Sequence, residues 1–190
     1  MTMVSVCQNV VRDVDGSGIT LNFAGIVSAA VSDNTVSDAG LHALHITNNV
    51  GDLRDLVVAD NQLRNWGQIG GVQRGGLYLV SSQDVFSTSV TGNVVSVNTE
   101  TLTTGYWFDI VDIDTLVFGD NTAYMNNVAL TNSMIFDVNA GTVQVGLAIV
   151  GNTFRGAATG VDYSGAAFAP EYSQCSHNVE RTTDGTTGGN

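Results

Sequence analysis

One short motif recurs seven times along the 190-residue chain and limits its possible folds more than any other feature. Each copy is an alternating apolar stretch, then a short polar pair ending in asparagine, then a small or apolar residue. The seven asparagines are Asn9, Asn34, Asn61, Asn93, Asn121, Asn152 and Asn178, at spacings of 25, 27, 32, 28, 31 and 26 residues. A single asparagine turn is common in any chain, but seven at nearly constant spacing indicate a repeat architecture.

The segments between the asparagines have the pattern of β-strands. GLHALHIT (40–47), GLYLVSS (76–82) and GYWFDIVDI (105–113) alternate along their length, and a further strand leads into each asparagine. No segment sustains a 3.6-residue period, and 22 glycines with a single proline suit turns between hydrogen-bonded strands. About 28 residues per repeat, with two or three strands each, predict an all-β fold, a right-handed parallel β-helix of about seven short coils. The LxxLxL pattern of leucine-rich repeats is missing, and a propeller blade needs about 40 residues.

In such a fold each strand pairs with its equivalent one coil away, so that side chains stack in columns. The seven asparagines are then expected to form a ladder, because identical amides about 4.8 Å apart can hydrogen-bond to one another. The residues predicted to point inward are Leu44, Ile46, Val57, Leu77, Leu79, Ile135, Val138 and Ile149, whereas His45, Thr47 and Asp137 are predicted to point outward. Residues 1–180 are expected to form a single β-helix domain, followed by a polar flexible tail over 181–190.

These asparagines and their flanking strands, over residues 5–180, resemble the single-stranded right-handed β-helix superfamily. That superfamily contains pectate-lyase-like polysaccharide enzymes and the trimeric tailspike-like and capsid-decorating proteins of bacteriophages. The resemblance implies a structural protein of a tailed-phage virion, a homotrimer that acts as a capsid decoration or cement protein on the virion surface, with the major capsid protein as a further partner. The alternative that it implies is a tailspike or secreted depolymerase or lyase acting on a surface glycan.

The charge of the chain restricts its partners. Six basic residues, all arginine, stand against 18 acids, which gives a formal net charge of −12. This balance argues against binding to nucleic acid or to an anionic membrane surface, since both need clustered basic residues. No apolar run approaches the roughly 18 residues that span a bilayer, and MTMVSVCQNVV lacks the features of a signal peptide. We expect no cofactor.

The best candidates for catalysis are three acids, Asp109, Asp112 and Asp114, with Trp107 nearby. Glycoside-cleaving β-helices use paired carboxylates, and an aromatic ring could stack on a sugar. However, outward-facing acids are expected in a chain with 18 of them, so we favour no catalytic residue and keep these three as the fallback for an enzyme. A pectate-type lyase would also need a basic residue beside an acid pair, and no arginine lies beside such a pair on the same strand face in a recognisable pattern.

The histidines and cysteines give little sign of chemistry. His42 and His45 are three residues apart, which on one strand would place them on opposite faces, and His177 lies in another repeat, so we predict no metal site. Cys7 and Cys175 belong to the first and last coils, about 30 Å apart, whereas a disulfide needs Cα atoms within about 7 Å. We therefore predict no intrachain disulfide and favour two buried or half-buried thiols, with an interchain bridge as the alternative.

The glycine-rich segment GQIGGVQRGG (67–76) is the longest insertion between ladder positions. Because such insertions commonly project from the surface, we expect it to be a contact loop with Trp66, Ile69 and Arg74 as anchors against a neighbour, or equally an idle loop.

Overall fold

The computed structural model describes residues 3–25, 28–50, 53–69, 74–81, 85–97, 104–111, 115–125, 132–139, 146–157, 159–164 and 172–182. Within these ranges the chain contains twenty strands and no helix. Every strand pairs in parallel with the strand three elements along the chain, so the strands stack in three sheets. The protein is therefore an all-β parallel β-helix, as predicted from the repeat.

The strands are numbered in chain order. They are β1 (Met3–Cys7), β2 (Val10–Val14), β3 (Ile19–Ala24), β4 (Ser28–Ser32), β5 (Thr35–Ala39), β6 (Leu44–Val50), β7 (Leu53–Ala59), β8 (Gln62–Arg64), β9 (Arg74–Ser81) and β10 (Val85–Thr91). The second half contains β11 (Val94–Val97), β12 (Thr104–Val111), β13 (Thr115–Gly119), β14 (Thr122–Met125), β15 (Asn132–Asn139), β16 (Gly146–Val150), β17 (Thr153–Ala157), β18 (Thr159–Ser164), β19 (Tyr172–Ser176) and β20 (Val179–Thr182).

The three sheets are the three sides of the coil. Sheet A has the order β1-β4-β7-β10-β13-β16-β19, and sheet B, which follows each asparagine, has the order β2-β5-β8-β11-β14-β17-β20. Sheet C has the order β3-β6-β9-β12-β15-β18. Coils are numbered below by their strands, so that β1 to β3 form coil 1 and β19 and β20 belong to coil 7. Neighbouring strands in a sheet are about 4.8 Å apart, so six spacings extend about 29 Å.

The core lies inside the coil and consists of stacked apolar side chains. Leu44, Leu77 and Phe108 occupy register positions one coil apart, and all three are fully buried. The predicted inward positions of Leu44, Ile46, Leu77, Leu79 and Ile149 are confirmed by their burial. The side chains of Ile135 and Val138 lie outside the described part of the structure.

One predicted core residue was wrong. Val57 is 41% exposed, whereas its neighbours Leu56 and Val58 are buried. Because β7 contains the run Leu56-Val57-Val58, apolarity alone does not reveal which members of the run point inward. From Leu56 to Val58 the strand alternates, but in the opposite phase to the one assigned from the sequence.

A sharp corner joins sheet A to sheet B in every coil. The residue before each ladder asparagine has a positive φ, between 54° and 73°. These residues are Gln8, Asp33, Asp60, Gly92, Asp120, Gly151 and His177. Aspartate and glycine are among the residues that enter this left-handed conformation most readily. This preference accounts for the residue type that stands directly before most ladder asparagines.

The asparagine ladder is present along the whole stack. Each amide nitrogen donates to the Oδ1 atom of the next asparagine, at 2.9 to 3.1 Å, from Asn9 through to Asn178. Each of these Oδ1 atoms also accepts the backbone N–H of the preceding asparagine. The asparagines of coils 2 to 6 are fully buried. Inside the corner, the ladder therefore supplies the hydrogen-bond partners that water would otherwise provide to these polar groups.

The two ends of the chain were predicted in part. Cys7 in β1 and Cys175 in β19 are on opposite edge strands of sheet A, which confirms that they are too far apart for a disulfide. The Cys7 thiol is exposed rather than buried, because the strand pairs on one side only. β20 continues to Thr182, two residues past the predicted domain end, and the rest of the predicted tail lies outside the described residues.

Candidate functional site

Two register columns, one on sheet B and one on sheet C, contain the candidate functional residues, and Ser96 in the first of them is buried. The first follows from the strand register of sheet B, in which Arg64 pairs through Ser96 and Tyr124 to Arg155. The full set, called here the arginine column, is Arg12, Ser37, Arg64, Ser96, Tyr124, Arg155 and Arg181. It holds four of the six basic residues of the chain.

The arginines of this column are solvent-accessible wherever their side chains are described. Arg12, Arg64 and Arg155 are exposed, and Arg64 donates a hydrogen bond of 2.7 Å to Gln62 beside it. The neighbouring outward column of sheet B is uncharged, with Val10, Thr35, Gln62, Val94, Thr122, Thr153 and Val179 in register. Sheet B therefore has an arginine at this register position in coils 1, 3, 6 and 7 of a protein of net charge −12.

The distance of each arginine from the preceding ladder asparagine predicts this column from the sequence. In all four cases the arginine is the third residue after a ladder asparagine, at Arg12, Arg64, Arg155 and Arg181. Because β-strands of sheet B begin directly after the asparagine, an equal distance from the asparagine places these residues at the same register position.

The second column, on sheet C, places three aspartates in consecutive coils. Register pairs join Asp109 to Asp137 and Asp137 to Asp162, and they join Asp109 to Tyr78 on the other side. The full set, called here the acidic column, is Thr20, His45, Tyr78, Asp109, Asp137 and Asp162. The three aspartates occupy adjacent rungs, so their backbones are about 4.8 Å apart along the stack.

This arrangement differs from the acid cluster expected from the sequence. Asp109 belongs to the column through its backbone register, whereas Asp112 and Asp114 lie outside the described residues. Asp137 and Asp162 were missed as companions of Asp109. Their signal is an aspartate between two apolar residues in each of three repeats, as in Phe108-Asp109-Ile110.

A cluster of aromatic rings lies at coils 2 and 3 of the acidic column. The rings of His42 and Tyr78 stack with centroids 4.4 Å apart and an interplanar angle of 10°, and the His45 ring lies 5.0 Å from His42. The backbone N–H of Gly75 donates to His42 Nδ1 at 3.0 Å. Desolvation by burial lowers the pKa of His45 below its ordinary value of 6.5.

The expectation that these two histidines face away from each other was wrong. His42 precedes β6 and is not part of it, so the alternation of a strand does not apply between His42 and His45. A bend before the strand brings both rings to the same side. Among the residues that the structure describes, no three His, Cys, Asp or Glu side chains converge as metal ligands.

The outer face of sheet A carries two register columns without charged residues, beside a third that contains exposed Asp55. Two complete register columns run along it, with Val57 and Val117 exposed by 41% and 47%. The columns are Ser5, Ala30, Val57, Ser89, Val117, Ala148 and Gln174, and Cys7, Ser32, Ala59, Thr91, Gly119, Val150 and Ser176. None of these residues is charged, and we call the surface that they form the smooth face.

The proposed contact loop begins inside the coil. Trp66 is 1% exposed and belongs to the core, so it is not available as an anchor for a neighbour. Gly67, Gln68 and Ile69 donate backbone hydrogen bonds to Leu41, Ala39 and Gly40 of the previous coil, and this part of the segment therefore does not project. Ile69 remains 47% exposed. Residues 70–73 and the side chain of Arg74 lie outside the described part.

The charged residues around Arg54 on sheet A form an ordinary surface arrangement. Arg54 and Asp55 are adjacent exposed residues of β7, and Asp55 accepts a hydrogen bond from Ser28 at 3.1 Å. Asp52 lies outside the described residues.

Across the described ranges no helix is long and apolar enough to cross a bilayer.

Comparison with known proteins identifies no relative. No protein-family model matches the chain, and no curated protein or solved structure is significantly similar to it.

Proposed function

We propose that this protein is a structural protein of a tailed-phage virion. In this proposal it is a homotrimer of side-by-side β-helices that decorates and stabilises the capsid on the virion surface, and it catalyses no reaction. The β-helical fold with its buried ladder supports the proposal, because a stack of in-register coils gives a stiff prism with long side faces. The resemblance to β-helical phage proteins, given above, supplies the virion context.

The single observation that carries the proposal is the smooth face of sheet A. The whole chain is 13% charged, and acids outnumber bases three to one, yet no charged residue interrupts the two columns of this face. Small Ser, Ala and Thr side chains with exposed Val57 and Val117 can approach another protein surface closely, and the two columns themselves bring no charge into that contact. A face of this kind suits packing against a capsid protein.

The proposal is tested by the native mass and by an activity assay. Light scattering after size-exclusion chromatography should give about three times the chain mass of 19.9 kDa. Incubation with bacterial capsular and lipopolysaccharide glycans should leave the length of the glycan chains unchanged. A protein that is monomeric at all concentrations and shortens a glycan would overturn the proposal.

A glycan depolymerase remains the second candidate because of the acidic column. Asp109, Asp137 and Asp162 lie on consecutive rungs, with backbones about 4.8 Å apart, and glycosidases act through a pair of neighbouring carboxyl groups. If a glycan is shortened, Asp137→Asn should abolish the cleavage, while Asp55→Asn on sheet A should not. Equal activity of both variants would exclude the acidic column as the catalytic site.

A further inference from the structure

We infer that His42 is an acid-released latch between coils 2 and 3, whose neutral ring holds the start of β9 and whose protonated ring releases it. The latch is a hydrogen bond that the backbone N–H of Gly75 donates to His42 Nδ1 at 3.0 Å, in a buried position. The His42 side chain is only 8% exposed. The inference does not depend on the proposed function, because it concerns a contact between two coils of one chain.

This hydrogen bond fixes the protonation state of the ring in the closed structure. A ring nitrogen that accepts an N–H carries no proton, so the neutral His42 ring has its proton on Nε2. A second proton can bind only at Nδ1, where it would face the N–H of Gly75, donor against donor. Protonation of His42 therefore requires that the contact between Nδ1 and Gly75 break.

The rings around His42 act in opposite directions on a charged imidazole. The His45 ring of β6 has its centroid 5.0 Å away, so two protonated rings at this distance would repel each other. The Tyr78 ring of β9 stacks on His42 at 4.4 Å, and an aromatic face attracts a cation. Burial and the lost hydrogen bond both add to the repulsion, so the closed form favours the neutral ring.

Three charged residues lie in or beside the segments that bond to the bend over residues 40–43. Asp15 precedes β3 and is exposed, so water weakens its attraction for a charged ring. Asp38, in β5, accepts a hydrogen bond of 3.1 Å from the Asn65 amide. Arg74 adjoins Gly75 at the start of β9, and its side chain lies outside the described part. The exposure of Asp15 and the bond made by Asp38 limit what either carboxylate can do to stabilise a charged His42.

The latch can open locally, because the neighbouring backbone bonds do not titrate. On the coil 1 side, the carbonyls of His42 and Ala43 accept backbone N–H groups. On the coil 3 side, the Ala43 N–H donates to the Gly75 carbonyl at 3.3 Å, longer than the usual distance of about 2.9–3.0 Å. Pairing of β6 with β9 from Leu44 and Leu77 onward does not involve the ring. Loss of the His42 bond therefore leaves the start of β9 weakly held while the rest of the sheet stays paired.

The direction of the pH effect follows from proton uptake. In the open form the imidazole reaches water, where the ordinary pKa of histidine is about 6.5. Because the closed form binds no proton at Nδ1, the equilibrium constant for opening rises as the pH falls below this value. Uptake of one proton limits the rise to about 30-fold between pH 7.5 and pH 5.0.

The experiment is hydrogen exchange of the full chain, followed by NMR at pH 7.5 and pH 5.0. After correction for the intrinsic exchange rate, the protection factor of the Gly75 amide should fall by about 10- to 30-fold at the lower pH. The amide of Asn121, which donates to Asn152 Oδ1 inside the ladder, should remain far better protected at both pH values, since the opening is local. At pH 7.5 the nitrogen chemical shifts of the His42 ring should show a proton on Nε2 and none on Nδ1.

Two variants identify the ring that is responsible. In His42→Asn the side-chain Oδ1 takes a place close to that of Nδ1 and can accept from Gly75 without titrating. The protection factor of Gly75 should then change less than about 3-fold between the two pH values. His45→Gln removes the neighbouring titratable ring and should keep most of the fall that the wild-type protein shows.

Each outcome decides for or against the latch. A Gly75 protection factor that does not fall in the wild-type protein, or a proton on His42 Nδ1 at pH 7.5, overturns the inference. An equal fall in His42→Asn, or no fall in His45→Gln, assigns the effect to another group and also overturns it, as does equal protection of Gly75 and Asn121 at pH 5.0, which means global unfolding. If His42→Asn does not fold, the wild-type measurements and His45→Gln decide. A local fall at Gly75 that requires His42 supports the inference.

Discussion

At the scale of single residues, the ladder depends on a property that only a carboxamide side chain has. The Asn121 amide donates one hydrogen bond to Asn152 Oδ1 and one to the carbonyl of Val90, while its own Oδ1 accepts two from Asn93. Aspartate has no N–H to donate, and serine has one O–H where two donors are needed. A buried corner with these partners therefore selects asparagine in every coil.

We predict that Asn121→Ala strongly destabilises the fold. The substitution leaves the backbone N–H of Asn93 without an acceptor and removes the donor to Val90, both in a buried corner, while the Asn93 amide keeps Val58 and Thr91 as acceptors. With about 1–3 kcal/mol for each unsatisfied buried group, the free energy of unfolding should fall by about 2–6 kcal/mol. Urea denaturation followed by circular dichroism measures it.

The matched control is the terminal asparagine of the same ladder. Asn9 is exposed, and Asn34 Oδ1 still accepts the backbone N–H of residue 9 after Asn9→Ala. That variant should lose less than about 1 kcal/mol. Equal losses in the two variants would show that the ladder contributes no more in the interior than at its edge.

The positions of the ladder were predictable from the sequence, but the phase of the strands was only partly so. The asparagines and the residues flanking them recur at nearly constant spacing, and the corner conformation imposes their identity. The phase of β7 was not predictable, because Leu56, Val57 and Val58 are all apolar and either alternation fits the pattern.

At the scale of elements, successive coils come closest where sheet B leads into sheet C. Gly40 donates its backbone N–H to the carbonyl of Val14 at 2.7 Å, and a Cβ atom at Gly40 would overlap the carbonyl of Asp15. It would also lie 2.8 Å from Ile69 Cδ1 of the following coil. Three coils are thus in contact through one glycine that has no room for a side chain.

We predict that Gly40→Ala lowers the free energy of unfolding by about 1–3 kcal/mol, the usual cost of overpacking a site whose neighbour is backbone. Gly16→Ala is the matched control in the adjoining segment, since no atom lies within 4 Å of the Cβ it would add. Its effect should stay below about 1 kcal/mol in either direction. Thermal unfolding of both variants measures the difference, and similar losses in both would contradict the close approach.

The aromatic cluster at the start of sheet C predicts a dependence of stability on pH. Burial against His42 and Tyr78 lowers the pKa of His45 in the folded state, so the unfolded chain binds a proton more readily. The contribution of His45 to stability is fully present above pH 6.5, the ordinary value, and is lost as the pH falls through the lower folded value.

The measurement is a comparison of melting temperatures between the wild-type protein and His45→Gln from pH 8 to pH 5. Carboxylates elsewhere titrate in both proteins, so the difference between the two curves reports His45. The wild-type protein should lose stability relative to the variant below pH 6.5. Parallel curves across this range would contradict a lowered pKa of His45.

The two charged columns differ in how far the sequence predicts them. Sheet B begins directly after the ladder asparagine, so Arg64 and Arg155 can be aligned by counting three residues from Asn61 and Asn152. Sheet C follows a connection of variable length. For example, His45 lies 11 residues after Asn34 but its register partner Tyr78 lies 17 after Asn61. The register of the acidic column is set by strand pairing, which spacing alone does not give.

At the scale of the whole molecule, the described strands form a one-dimensional stack in which each coil pairs with the coils before and after it. Strands pair with the strands three elements before and after them, and the ladder asparagines likewise contact one coil on each side. In such a stack, stability is close to a sum of coil terms and contacts between adjacent coils. A coil is therefore the unit that can be added or removed.

We predict that deletion of residues 94–121 leaves a folded protein that is one coil shorter. The deletion spans the 28 residues from one ladder position to the next, so that Asn93 takes the place of Asn121 and is followed by Thr122. Circular dichroism should retain the β-sheet signal, with one cooperative transition at a lower temperature because Phe108 and Phe118 leave the core. Deletion of only the first half of this range is the control, since it sets strands of sheet C against strands of sheet B and should abolish cooperative unfolding. If the full and half deletions lose structure alike, the coils are not interchangeable units, and stability depends on contacts beyond adjacent coils.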